Sequence, residues 1–362
     1  METILAVRLE KRIAMIHSEN GEIRPRGIVV RSGSPFARAI ASRRPAALAG
    51  KAPEAEPAAA AAVTTDGFRE IPKWDLKDHK GRKIADLVFV NRFVGGAAAW
   101  AKADMDHIDQ ALAAAMTDST LQSVVAQYYP GKITSTALPP AVVDLHTPQG
   151  SRFFKDQAED LARELFLSGV LGDHDPGQCV IDMMLPRGVI LVDGFSPGFQ
   201  PPPGEEEEHA RRERALIKID DDEGDSTQGL GGYHGSVQVN RNGRPVTTYY
   251  AVGVFSEGDN GIAVFDGADN SWANVVATFY HELNEARTDP DVEDAVRFND
   301  ASKIGWYSET GRGEIGDLPI NEAESGFADI TNVFRFVKLA DGSGEVPVQL
   351  MWSNAVHAPA AR

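Results

Sequence analysis

The sequence predicts an α/β domain, a mixed β-sheet flanked by helices, with a flexible arm at its N-terminus. Three observations point there. Short apolar, strand-like runs share the chain with longer stretches of helical period. An Asn-Gly pair between two such runs marks an antiparallel hairpin. An alanine- and proline-rich segment that can bury little precedes the first strong run.

In chain order, residues 1–65 form the arm. It holds two short strand-like runs, around Ile4–Leu9 and Gly27–Arg31, and then Ser42-Arg-Arg-Pro-Ala-Ala-Leu-Ala-Gly-Lys-Ala-Pro-Glu-Ala-Glu-Pro57 with an alanine run behind it. Such an arm is a candidate for docking a protein partner. The domain proper covers 66–362. Its first buried strand is expected at Ile84–Val94, where apolar residues run almost unbroken. A helix follows through Trp100, Met105, Ile108, Leu112 and Met116, and Asp118-Ser-Thr restarts a second one that Pro130-Gly ends. Val142–His146 reads as a short strand, residues 153–171 as an amphipathic helix, and Val180–Met184 and Gly188–Val192 as strands. Proline, glycine and blocks of like charge across 196–228 oppose packing, so this stretch is expected to be a disordered acidic loop. The hairpin comes next, with Ser236–Asn240 and Val246–Phe255 joined through Asn242-Gly243. A further short strand is expected at Gly261–Phe265 and another at Val346–Trp352.

Residues 275–288 predict a helix whose apolar stripe is Val276, Phe279, Leu283 and Ala286, stopped by Asp289-Pro290. On it His281 and Glu285 are four residues apart and therefore on one side, with Glu282 adjacent. This is the spacing of His-Glu-x-x-His zinc hydrolases with a carboxylate in place of the second histidine. Zinc accepts imidazole nitrogen and carboxylate oxygen, and Glu282 is the expected general base. The pattern is short, and a solvated helix face carrying one histidine and two glutamates is the plain alternative. Asp289, Asp291, Glu293 and Asp294 beyond it read as a solvated face. His234 stands at the start of the hairpin, as a functional residue or a sheet-end one. His107, His146 and His174 share no ligand spacing.

Net charge and cysteine usage narrow the classes. A formal charge of −17 and a pI near 5.0 argue against nucleic acid as a partner. No apolar run approaches a membrane span, and the first residues lack a basic head followed by an apolar block. The lone Cys179, inside an apolar run, excludes a disulfide framework or a cysteine zinc cluster and reads as a buried inert thiol. The expected location is cytoplasmic.

Several short motifs fall in one order: Gly232-Tyr-His, His281-Glu-Leu-Asn-Glu, Thr288-Asp-Pro, Gly305-Trp-Tyr, Gly313-Glu-Ile-Gly-Asp-Leu and Val348-Gln-Leu-Met-Trp-Ser-Asn-Ala. That order resembles the exordium/phosphate-induced protein family of plants and its bacterial relatives, from about Lys83 to Pro359 and more strongly after Gly229. The resemblance implies a metallopeptidase-like α/β domain with a zinc-type helix. Family members are usually exported and carry cysteines where this chain has Gly231, Pro319 and Pro359 or its neighbours. Losing those cysteines together with an export signal is self-consistent for a reducing compartment.

A hydrolytic zinc site needs three protein ligands and an open position. His281 and Glu285 supply two. The loop Gly313–Asp317 offers the third, with Glu314 favoured as ligand and Asp317 as the group orienting His281 or capping the loop, or the reverse. His234 or Tyr233 would stabilise the developing oxyanion. One imidazole with two carboxylates is a hard set that also suits Ca2+ or Mn2+. The expected function is metal-dependent hydrolysis of a peptide or amide bond in a peptide or protein substrate. The rival is a non-catalytic binding or assembly protein that keeps the metal site for structure.

Overall fold

A computed structural model describes residues 28–29 and 67–362, apart from 216–223, 242, 258 and 266–269. The strands of its main sheet are β1 (Ile28–Val29), β2 (Asp86–Val94), β3 (Thr134–Val143), β4 (Cys179–Met184), β5 (Leu230–Arg241) and β6 (Arg244–Gly253). They lie in the order β1-β5-β6-β4-β2-β3. Strands β3, β2, β4 and β6 are parallel neighbours, whereas β5 and β6 form the expected antiparallel hairpin. The second strand-like run of the arm supplies β1, antiparallel to β5 with Ile28 opposite Gly232. The first run and the alanine-rich segment lie outside the described residues. This is a mixed sheet flanked by helices, as the sequence predicts.

The longer helices are α1 (Lys102–Thr117), α2 (Ser119–Ala126), α3 (Lys155–Leu167), α4 (Glu206–Ala215), α5 (Ser271–Thr288), α6 (Val292–Arg297) and α7 (Asp317–Glu324). Alternation along the strands gives the sheet two apolar faces. Phe89, Phe93, Val180, Met184 and Tyr249 join Val276, Phe279 and Leu283 of α5 in one core. Val88, Val90, Ile181, Met183 and Val252 join Leu161, Leu165 and Phe166 of α3 in the other. The restart at Asp118 is real: its carboxylate caps α2 by accepting from the N–H groups of Thr120 and Leu121.

Helix α5 approaches the sheet closely because glycines face it. Gly232 and Gly253 are register partners. A Cβ on Gly232 would lie 3.0 Å from Thr278 Cγ2, and one on Gly253 2.9 Å from Phe279 Cε2. This packing buries nearly every residue of α5, polar ones included.

Four expectations change. Residues 206–215 are helical, and Arg211 of that helix donates to the Arg297 carbonyl at 3.0 Å. The stretch 261–265 is no strand, since the Val264 and Phe265 N–H groups donate to Asn274 Oδ1 at 2.9 and 3.0 Å. The helix expected over 153–171 ends at Leu167. The acidic run after α5 is not a solvated face: Asp289, Glu293 and Asp294 are buried, and Asp291 accepts from the Tyr249 hydroxyl at 2.7 Å. Glu293 lies 3.3 Å from Lys155 Nζ and 3.0 Å from Arg212 Nη2. Burial pushes that carboxyl up, but Lys155, Arg212 and Arg297 outweigh it and hold it at about 2.

The expectation for Cys179 stands. Cys179 is buried with its thiol pushed up to about 12, by burial and then by Asp175. Trp352 is core, its ring centroid 6.0 Å from that of Trp74. Among the described residues no helix is long and apolar enough to cross a membrane.

Candidate metal centre

The polar side of α5 faces strand β5 and the strand β7 (Glu345–Gln349), not water. His281, Glu282 and Glu285 are all 0% exposed, so the solvated-helix alternative falls. One helical turn aligns His281 and Glu285, and His281 Nε2 lies 3.0 Å from Glu285 Oε2. Glu282 is turned toward β5, where its Oε2 lies 3.3 Å from His234 Nδ1. His234 therefore belongs to the cluster, 3.7 Å from Glu285 Oε2 through Nδ1 and 3.7 Å from Glu314 Oε1 through Nε2.

The His281 tautomer follows from its partner. Gln349 Nε2 donates to the Gly316 carbonyl at 2.6 Å, which turns Gln349 Oε1 toward the imidazole, 2.9 Å from His281 Nδ1. An amide oxygen can only accept, so Nδ1 carries the proton. In the neutral ring Nε2 is then a lone pair, and it faces a carboxylate oxygen at 3.0 Å. Two acceptors at that separation repel unless a cation or a proton lies between them.

The loop Gly313–Asp317 closes over this pair. Glu285 Oε1 accepts from the N–H groups of Gly316 and Asp317, at 3.0 and 3.1 Å, where α7 begins. Those bonds fix the carboxylate and leave Oε2 for the centre. Gly316 lets the loop touch the ring, since a Cβ there would lie 2.4 Å from His281 Nδ1. Asp317 Oδ2 accepts from the Glu314 N–H at 3.1 Å, so it caps the loop. The role of orienting His281 belongs to Gln349, a residue the sequence reading did not single out. Glu314 is 0% exposed, and among the described residues neither of its oxygens has a hydrogen-bond partner.

Among the described residues there are two sets whose ligand atoms lie within 4.8 Å of one another: His234, Glu282 and Glu285 in one, His281, Glu285 and Asp317 in the other. Glu285 is common to both. Tyr233 is not brought to either. Neighbours on a strand point to opposite faces, so Tyr233 packs in the α3-side core with Lys155 Nζ 4.6 Å from its ring centre. That removes it as an oxyanion donor.

Two further carboxylates join the buried set. Asp289 at the end of α5 accepts from the Gly305 N–H at 2.8 Å through Oδ1, while Oδ2 has no hydrogen-bond partner among the described residues. Asp182, register partner of Ala251 as His234 is, is 0% exposed with both oxygens lacking one. A lone aspartate inside the apolar run Cys-Val-Ile-Asp-Met-Met was the signal available for it.

Burial dominates the electrostatics. It pushes the carboxyls of Glu285 and Glu314 well above the usual range, with Glu282 adding to the first and Glu285 to the second. Asp182 is raised by burial and by Glu282, and Asp289 by burial. Burial lowers His234, partly opposed by Glu285. A divalent cation reverses this balance, because ligands bind it deprotonated. Each set joins one imidazole nitrogen to carboxylate oxygens, a donor set that can hold a divalent ion. Comparisons with protein-family models, with curated proteins and with solved structures find no match to this chain.

Proposed function

We propose that this chain is a metal-dependent hydrolase acting on a peptide or amide bond, with zinc as the first candidate metal. The observation that carries the reading is the buried pair His281 Nε2 and Glu285 Oε2, 3.0 Å apart, a separation that calls for a cation or a proton between them. The order of short motifs that resembles the exordium/phosphate-induced proteins supports it. A bound ion would supply Lewis acidity. His281 and Glu285 would hold it, with Asp317 or Glu314 completing the set. Glu282 is the proton acceptor, and His234, whose Nδ1 lies 3.3 Å from it, is the second imidazole at the centre.

A second reading has its own observation. His281, Glu282, Glu285 and Glu314 are 0% exposed, and a site closed to this degree favours an ion held for structure in a binding or assembly protein.

Elemental mass spectrometry of the purified chain beside His281→Ala tests the metal. At least one ion per chain is expected, with loss in the variant; no metal in either, after incubation with zinc and desalting, sinks both readings. Hydrolysis of a mixed peptide library, with Glu282→Gln as control, then separates them. A catalytic site loses on the order of 10²-fold or more in rate in that variant while keeping the ion held by His281. A metal-loaded chain that cleaves nothing supports the structural reading.

A further inference from the structure

We propose that the centre takes two divalent cations, one on each side of Glu285, of the borderline class that accepts imidazole and carboxylate together. The inference rests on reading the cluster as a metal centre and deepens it. The two ligand sets do not merge into one; they meet only at Glu285. Glu285 Oε1 is already committed to the Gly316 and Asp317 N–H groups, so the shared atom is Oε2. That oxygen is 3.0 Å from His281 Nε2 and 3.7 Å from His234 Nδ1, facing both imidazoles. An oxygen between two nitrogen donors is the arrangement of a bridging carboxylate, as in sites whose ions lie about 3.5–4 Å apart.

Charge argues the same way. Glu285 Oε2, Asp289 Oδ2 and both oxygens of Glu314 are buried without a hydrogen-bond partner among the described residues. When ionised these three carboxylates carry more negative charge than one divalent ion neutralises, and an uncompensated buried charge is strongly unfavourable. Glu314 Oε1 lies 3.7 Å from His234 Nε2, so a further buried carboxylate stands beside the imidazole of the second set. A carboxylate that binds an ion through one oxygen keeps the other as a proton acceptor, so Glu282 retains its role beside the second ion.

The test is metal stoichiometry and electron paramagnetic resonance on the full chain, loaded separately with zinc and with manganese and then desalted. About two ions per chain are expected, and manganese should give an exchange-coupled spectrum, not that of isolated ions. His234→Ala and His281→Ala should each fall to about one ion per chain. The wild-type spectrum needs no variant to fold, and circular dichroism checks the variants. One ion per chain with an uncoupled spectrum overturns the two-ion proposal and leaves the single-metal centre standing. Two ions that both survive His234→Ala place the second ion elsewhere and overturn it too. No metal at all removes the centre, and this proposal with it.

Discussion

Gln349 sets the chemical identity of His281. Its amide oxygen accepts the Nδ1 proton at 2.9 Å while its amide nitrogen donates to the Gly316 carbonyl at 2.6 Å. One side chain from β7 thus ties the helix residue, its tautomer and the Gly313–Asp317 loop into a single unit.

Gln349→Leu removes both bonds and frees the ring. Outer partners of metal-binding histidines typically contribute about 10–100-fold in affinity, and a loss of that size is expected here. Competition with a zinc-binding dye measures it. Gln349→Glu, which keeps an acceptor for Nδ1, should recover most of the affinity. Equal affinities in wild type and the leucine variant would show that the ring needs no such anchor.

Gly316→Ala puts a methyl group where the imidazole stands, 2.4 Å from Nδ1 and 2.5 Å from Cε1. Either the loop or the ring must move, and both carry the centre. Overpacking of this kind costs about 1–3 kcal/mol, and metal should be lost with it. Gly131→Ala is the control, since a Cβ there meets nothing within 4 Å. Chemical denaturation and metal content of the two variants give the answer; a metal-replete Gly316→Ala protein would contradict the contact.

How much of this could be read beforehand depends on the kind of signal. The period of Val276, Phe279, Leu283 and Ala286 gave the helix, and Asn242-Gly243 gave the hairpin, because both are local chemistry. The pairing of β1 with β5 and the parallel order of β3, β2, β4 and β6 are long-range, and no local pattern encodes them. The cluster shows the same division. His281, Glu282 and Glu285 were legible from spacing. Tyr233 and His234 could not both face the centre, given strand alternation, yet nothing in the sequence said which one did. Gln349 and Asp182 were hidden because each is a single polar residue in a strand otherwise read for its apolar core. The acid run from Asp289 to Asp294 misled because its partners, Lys155, Arg212 and Tyr249, lie on distant segments.

Chelation should destabilise the protein more at high pH than at low. Burial raises the Glu285 and Glu314 carboxyls above their unfolded values. Without metal the folded chain therefore holds more protons than the unfolded one, and stability falls as pH rises past the usual carboxylate range. Metal binding needs the deprotonated forms, so its contribution grows over the same interval. Melting temperatures with and without chelator at pH 5.5 and pH 8 should show a wider gap at pH 8. An equal gap would mean that these carboxylates titrate normally.

Glu322 offers a pH test away from the metal ligands. On α7 its Oε1 accepts from the Arg69 N–H at 3.1 Å, while Oε2 is buried without a hydrogen-bond partner among the described residues. Burial pushes this carboxyl up to about 7, partly opposed by Arg69. A group raised in the folded state contributes stability that is complete below its unfolded value and is lost as pH rises through the folded one. Glu322→Gln imitates the protonated acid at every pH. It should match wild type at pH 4, below both values, and exceed it at pH 8 by on the order of 2 kcal/mol. Urea denaturation at the two pH values reads the difference directly. A variant no more stable than wild type at pH 8 would mean that the ionised carboxylate finds water or a cation within reach, and that burial of this helix end is looser than its packing against Arg69 implies.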